Sequence, residues 1–67
     1  MTRGKVKFYN DSKGYGFIKP KDDDTDVFVH ATDLEKNGVD FIEKDDLVEF
    51  TSRHTRRGVQ VDEIRLV

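Results

Sequence analysis

A chain of 67 residues, with 34% hydrophobic against 39% charged positions, has room for one small domain and a small core. It contains no cysteine, which excludes disulfides and thiolate metal sites as staples, and no apolar run approaches the roughly 18 residues of a membrane span. No signal-like segment opens it, so a cytoplasmic protein is expected, and its net charge of −2 argues at first against a polyanionic partner. The distribution of charge softens that objection. Up to Lys21 the chain carries Arg3, Lys5, Lys7, Lys13, Lys19 and Lys21 against the single acid Asp11. From Asp22 to Glu49 acids dominate, relieved only by Lys36 and Lys44. A basic surface can therefore lie beside an acidic one.

The first strand is expected around Val6 and Phe8, ending at the turn formers Asn10-Asp11-Ser12. Tyr15 to Lys19 reads as the second, stopped by Pro20, which has no N–H to give a ladder. Asp26 to Ala31 is the third. Thr32-Asp33-Leu34-Glu35 has capping-box spacing and Asn37-Gly38 follows at once, which predicts a single helical turn. Leu47 to Ser52 is the fourth strand, with Val48 and Phe50 on one face, and Arg53 to Arg57 reads as a basic loop closed by Gly58. Val59 to Val67 is the fifth. Its apolar positions Val61, Ile64 and Leu66 do not keep one parity, so a bulge is expected in it. Five short strands with almost no helix leave a barrel or a sandwich, and a sandwich this small would expose long edges. A barrel is expected.

The most informative segments are Lys13-Gly14-Tyr15-Gly16-Phe17-Ile18 and Asp26-Val27-Phe28-Val29-His30. Strand side chains alternate, so Tyr15 and Phe17 oppose Gly16 and Ile18, while Phe28 and His30 oppose Val27 and Val29. The aliphatic sides already furnish a core. Aromatics on the other sides predict a solvent-facing platform of the kind that stacks unpaired bases. Gly14-Tyr15-Gly16 is not a phosphate loop, because no helix follows it; Gly16 is expected where strands cross closely. Asp22-Asp23-Asp24-Thr25-Asp26 lacks the sixth-position Gly and twelfth-position Glu of a calcium loop and reads as a solvated hairpin loop. His30 has no nucleophile and orienting group to make it a catalytic base, and no carboxylate–metal cluster suggests a nuclease, so no enzyme is expected. Strict alternation sets Lys7 and Phe8 on opposite faces, and only a bulge or strong twist would bring both to the platform.

With these motifs placed, the chain resembles the bacterial type of the cold-shock domain family. Lys13 to Ile18 matches the family's K-G-F-G-F-I, Val27-Phe28-Val29-His30-Ala31 its V-F-V-H-F, and Gly4-Lys5-Val6-Lys7-Phe8-Tyr9-Asn10 its opening G-x-V-K-W-F-N. The pattern continues through Val48, Phe50, Arg57-Gly58 and Ile64. The resemblance implies an all-β, five-stranded antiparallel Greek-key barrel (an OB-fold), forming a single cold-shock domain over residues 1–67. It implies a monomer that binds single-stranded RNA and DNA with low sequence specificity and acts as an RNA chaperone, keeping transcripts unpaired during cold adaptation. Tyr15, Phe17, Phe28 and His30 would stack bases with Phe8 assisting, Lys7, Lys13 and Arg57 would follow the phosphates, and Asp26 would accept from a base edge. Asn10, ending the matched opening motif, belongs to the same implied site. No cofactor, metal, small-molecule substrate or membrane is implied. Phe8 stands where the family has Trp, and Ala31 and Val39 stand where it has Phe; Phe41 is the residue placed to compensate. Stacking is worth about 1–3 kcal/mol per base, so these departures predict binding weakened roughly tenfold or more. The competing reading is a protein-interaction barrel whose aromatic face docks a peptide or protein, for which Lys13 and Arg57 would be dispensable.

Overall fold

The computed structural model describes residues 1–67. Five strands and one short helix follow in the order β1 (Thr2–Asn10), β2 (Tyr15–Pro20), β3 (Val27–His30), α1 (Ala31–Lys36), β4 (Leu47–Thr55) and β5 (Gly58–Leu66). The strands close a barrel in the order β1-β2-β3-β5-β4. Four of the five ladders are antiparallel, and the ring is completed by a short parallel bridge between β3 and β5 at Phe28 and Gln60. Closure leaves no long edge unpaired, which is how so polar a chain protects a small core.

Alternation fills the barrel as the sequence predicts. Val6, Ile18, Val27, Val29, Val48, Phe50, Val61 and Ile64 point inward and are buried, with Leu34 of α1 and Ile42 of the following connection completing the cluster. Leu66 is the exception: at the end of β5 it is 51% exposed. The bulge expected in β5 lies between Val61 and Ile64. Ser52 pairs with Val61 and Thr51 with Glu63, so Asp62 is the extra residue. Arg53 straddles it, donating to the Val61 carbonyl at 3.0 Å and to the Asp62 carboxylate at 3.2 Å.

Three expectations are corrected. The segment from Arg53 is not a loop: β4 runs on to Thr55, and only Arg56 and Arg57 turn the chain into β5. Thr55 Oγ1 donates to the Gly58 carbonyl and accepts from the Arg57 N–H, which closes a turn tight enough for charged strand ends to pair. β3 stops at His30 and Ala31 already belongs to α1. The helix cap is correspondingly His30 rather than Thr32. The His30 N–H donates to Asp33 Oδ2 at 3.0 Å, and the Thr32 N–H donates to His30 Nδ1 at 3.2 Å. Asp33 is drawn inward because the Gln60 amide of β5 also donates to it, at 2.9 Å; Glu35 stays exposed. Gly38 (φ 72°) ends the helix as predicted, and Asp45 (φ 73°) adopts the left-handed backbone that Asp tolerates better than most residues.

Candidate nucleic-acid interface

The outer face of β1–β3 is assembled by strand register. Phe8 pairs with Phe17, Phe17 with Phe28, and Tyr15 with His30, so the rings stand as cross-strand neighbours on one side. Phe17 lies 5.6 Å from Phe8 and 5.7 Å from Phe28 between ring centroids, Tyr15 stacks on Phe28 at 6.1 Å, and His30 follows at 6.4 Å. Beneath them Gly16 permits the strands to close up. A methyl group there would collide with the Phe8 carbonyl and stand 2.8 Å from Tyr9 Cα.

The conflict between Lys7 and Phe8 is resolved by a bulge. Val6 pairs with Ile18 and Phe8 with Phe17, so Lys7 is an extra residue and parity restarts after it. Phe8 consequently faces outward, 38% exposed, while Tyr9 turns back to pack against the core. Burial, reinforced by the nearby Asp11 carboxylate, holds the Tyr9 hydroxyl above its ordinary pKa. Lys7 and Phe8 thus both reach the outer surface, where Lys7 Nζ lies 3.0 Å from Asp26 Oδ2.

Cations border the rings. The Arg57 guanidinium sits 5.9 Å from the Phe28 centroid, close enough for cation–π attraction. Lys13 is exposed in the β1–β2 turn, and Asn10 Oδ1 shapes that turn by accepting from the Lys13 N–H at 3.0 Å. The Thr32 N–H donates to His30 Nδ1, so the helix cap engages that nitrogen and Nε2 is the ring nitrogen left to meet a ligand. Phe41 is 56% exposed and joins none of the ring pairs; it flanks a separate groove with Tyr9 and Asp11. Asp33, absent from the expected site, is the buried group that fixes His30, and the only trace of it in the sequence was an acid in the first helical turn.

No group of three or more His, Asp or Glu side chains is placed to hold a metal ion, and no helix is long and apolar enough to cross a membrane. The arrangement offers open aromatic faces and flanking cations, which suits flat, anion-bearing ligands.

The family model described as the "Cold-shock" DNA-binding domain matches residues 2–67. The chain belongs to the cold-shock domain family. It is therefore a nucleic-acid-binding domain of the cold-shock class. The chain is 42% identical to the probable cold shock protein A of Mycobacterium tuberculosis over 65 residues, covering 97% of each. It is 43% identical to the major cold shock protein of Micrococcus luteus over 60 residues, 90% of each, and 40% identical to a cold shock-like protein of Thermotoga maritima over 65 residues. The two positions at which the sequence resemblance leads one to expect further rings carry none. Ala31 sits beside Gly14, whose carbonyl accepts the Ala31 N–H at 2.9 Å, and Val39 packs against the core. Neither offers a ring to a ligand.

Proposed function

We propose that residues 1–67 act as a single cold-shock domain that binds single-stranded RNA and DNA with low sequence specificity, as a cytoplasmic monomer. Its role is that of an RNA chaperone that keeps transcripts unpaired, as cold adaptation demands. The observation that carries this reading is the contiguous row of Phe8, Tyr15, Phe17, Phe28 and His30 on one open face, with Arg57 at its margin. Every base has a π-face, so stacking tolerates sequence, and a duplex hides the faces that the rings need. In this reading Lys7, Lys13 and Arg57 neutralise phosphates, Asp26 and Asn10 meet base edges, and Phe41 offers a further exposed ring apart from the row, at the groove it shares with Tyr9 and Asp11. The domain works by binding and performs no catalytic step.

Chaperoning follows from mass action. A ligand that binds only the open strand stabilises it by about 2.7 kcal/mol at one hundred times its Kd. A hairpin of marginal stability is opened under those conditions, whereas a long duplex is not. A fluorophore–quencher RNA hairpin of about 2 kcal/mol stability should lose its quenching as protein is added, and regain it when salt is raised. A hairpin that stays closed at saturating, single-strand-binding protein would overturn the chaperone role. Peptide docking on the same face predicts no dependence of binding on salt or oligonucleotide length.

A further inference from the structure

The aromatic row does not end in neutral surface. Along β1 and β2 the outward positions continue past the Phe8–Phe17 pair to Lys5 opposite Lys19. Beyond these, the Lys21 N–H donates to the Arg3 carbonyl at 2.9 Å, which sets Arg3 and Lys21 side by side. Gly4, Val6, Ile18 and Pro20 alternate with these cations and are buried, so the cations share the outer face with the rings. Lys21 follows Phe17 by four positions, about 13 Å along the strand direction.

Arg3, Lys5, Lys19 and Lys21 surround a groove of about 430 Å³ that the buried Pro20 helps to floor and to which the 58% exposed Leu47 gives apolar surface. Two of the cations have anionic partners: Arg3 with Glu49 at 3.3 Å, and Lys19 with the exposed Asp24 at 3.9 Å. Lys5 and Lys21 form no ion pair. The acids that follow in the chain do not fill the groove. Asp22 and Asp23 line a different one, with Thr2, Ser52 and His54, and Asp23 is engaged by the Thr25 N–H.

We infer that this groove is a second arm of the nucleic-acid interface, where the strand leaving the rings lays its phosphates on Lys5, Lys19, Lys21 and Arg3 and rests a nucleoside on Leu47. The inference rests on the proposed use of the ring face for single strands. Continuity with that face and charge complementarity select the occupant: a polyanion already held by the rings arrives here without further ordering of the protein. Sites of roughly 4–16 nucleotides are usual for a barrel of this kind, so the rings need not account for the whole footprint.

The test compares a thymidine tetranucleotide with a decanucleotide, both fluorescently labelled, by anisotropy across a series of salt concentrations. The variants are Lys5→Gln/Lys21→Gln and, as a control removing the same net charge elsewhere, Lys36→Glu; circular dichroism checks that each is folded. Two phosphate contacts at about 0.7 each should lower the salt slope for the decanucleotide by about 1.4 in the double variant. Its affinity at about 0.1 M salt should fall roughly tenfold or more, with the tetranucleotide little changed and Lys36→Glu close to wild type for both. A double variant matching wild type on the decanucleotide overturns this inference alone. Wild type that binds neither oligonucleotide overturns it together with the ring-face reading.

Discussion

Asp33 is the side chain whose removal should cost the fold most for its size. It is 4% exposed and joins three elements: its carboxylate accepts from the His30 N–H at 3.0 Å and the Gln60 amide at 2.9 Å, and lies 3.9 Å from the Arg53 guanidinium. Each hydrogen bond to a charged group contributes about 1.5–3 kcal/mol, and the donors left behind are partly buried. The Arg53 contact is long and half-exposed, so it is discounted to at most about 1 kcal/mol. Asp33→Ala should therefore destabilise by about 3 kcal/mol, and Asp33→Asn, which keeps an acceptor for His30, by about half as much. For a domain this small, about 3 kcal/mol corresponds to a Tm lowered by roughly 12–24 °C. Urea and thermal unfolding followed by circular dichroism read both quantities. A loss below about 1 kcal/mol for Asp33→Ala would refute the assignment of Asp33 as the tie between cap, β4 and β5.

Other consequences are as open to test. Gly16→Ala drives a methyl into the Phe8 carbonyl and Tyr9 backbone, so it should cost about 3 kcal/mol or more in urea unfolding; a neutral outcome would mean that β1 and β2 do not approach as described. Hydrogen bonds from Arg65 and then Arg3 hold the Glu49 carboxyl below its ordinary range. A depressed carboxyl contributes stability above its unfolded pKa and loses it as pH falls through the folded value. Wild type should thus lose more of its urea midpoint on acidification than Glu49→Gln, with the difference shrinking in high salt, and parallel pH profiles would contradict the pairing. Phe8→Trp enlarges an exposed stacking surface in a chain that has no tryptophan. It should bind oligonucleotides several-fold tighter, with quenching of the new indole; fluorescence unchanged at saturation would place position 8 outside the site.

The ring face was legible because period-two alternation is a strong signal when aliphatics and aromatics separate cleanly, as they do at Tyr15 to Ile18 and Val27 to His30. The bulge at Asp62 was legible for the same reason, since Val61 and Ile64 cannot both point inward without an inserted residue. The bulge at Lys7 could be posed only as a requirement, because sequence alone does not say whether Phe8 or Lys7 leaves the regular ladder. The capping error at His30 has a clear origin. Thr32 and Glu35 satisfy the usual spacing, whereas the actual cap depends on Gln60, 27 residues beyond Asp33, pulling that acid inward. Arg53 to Thr55 read as a loop because charge and polarity mark turns, and nothing local reveals that Arg53 secures a bulge on the neighbouring strand. The basic groove was hidden in the same way: Lys5 and Lys19 become neighbours only through register.

Short single-stranded oligonucleotides titrated against tyrosine fluorescence, with wild type beside Phe17→Ala/Phe28→Ala, test the central claim most directly. Tyr15 lies 6.4 Å from Phe17 and 6.1 Å from Phe28 and reports on the face being occupied. Two lost stacking rings remove about 2–6 kcal/mol, at least roughly thirtyfold in affinity. The account predicts saturable, salt-sensitive quenching for wild type and its loss in the folded double variant. A folded double variant that binds as wild type does would contradict it.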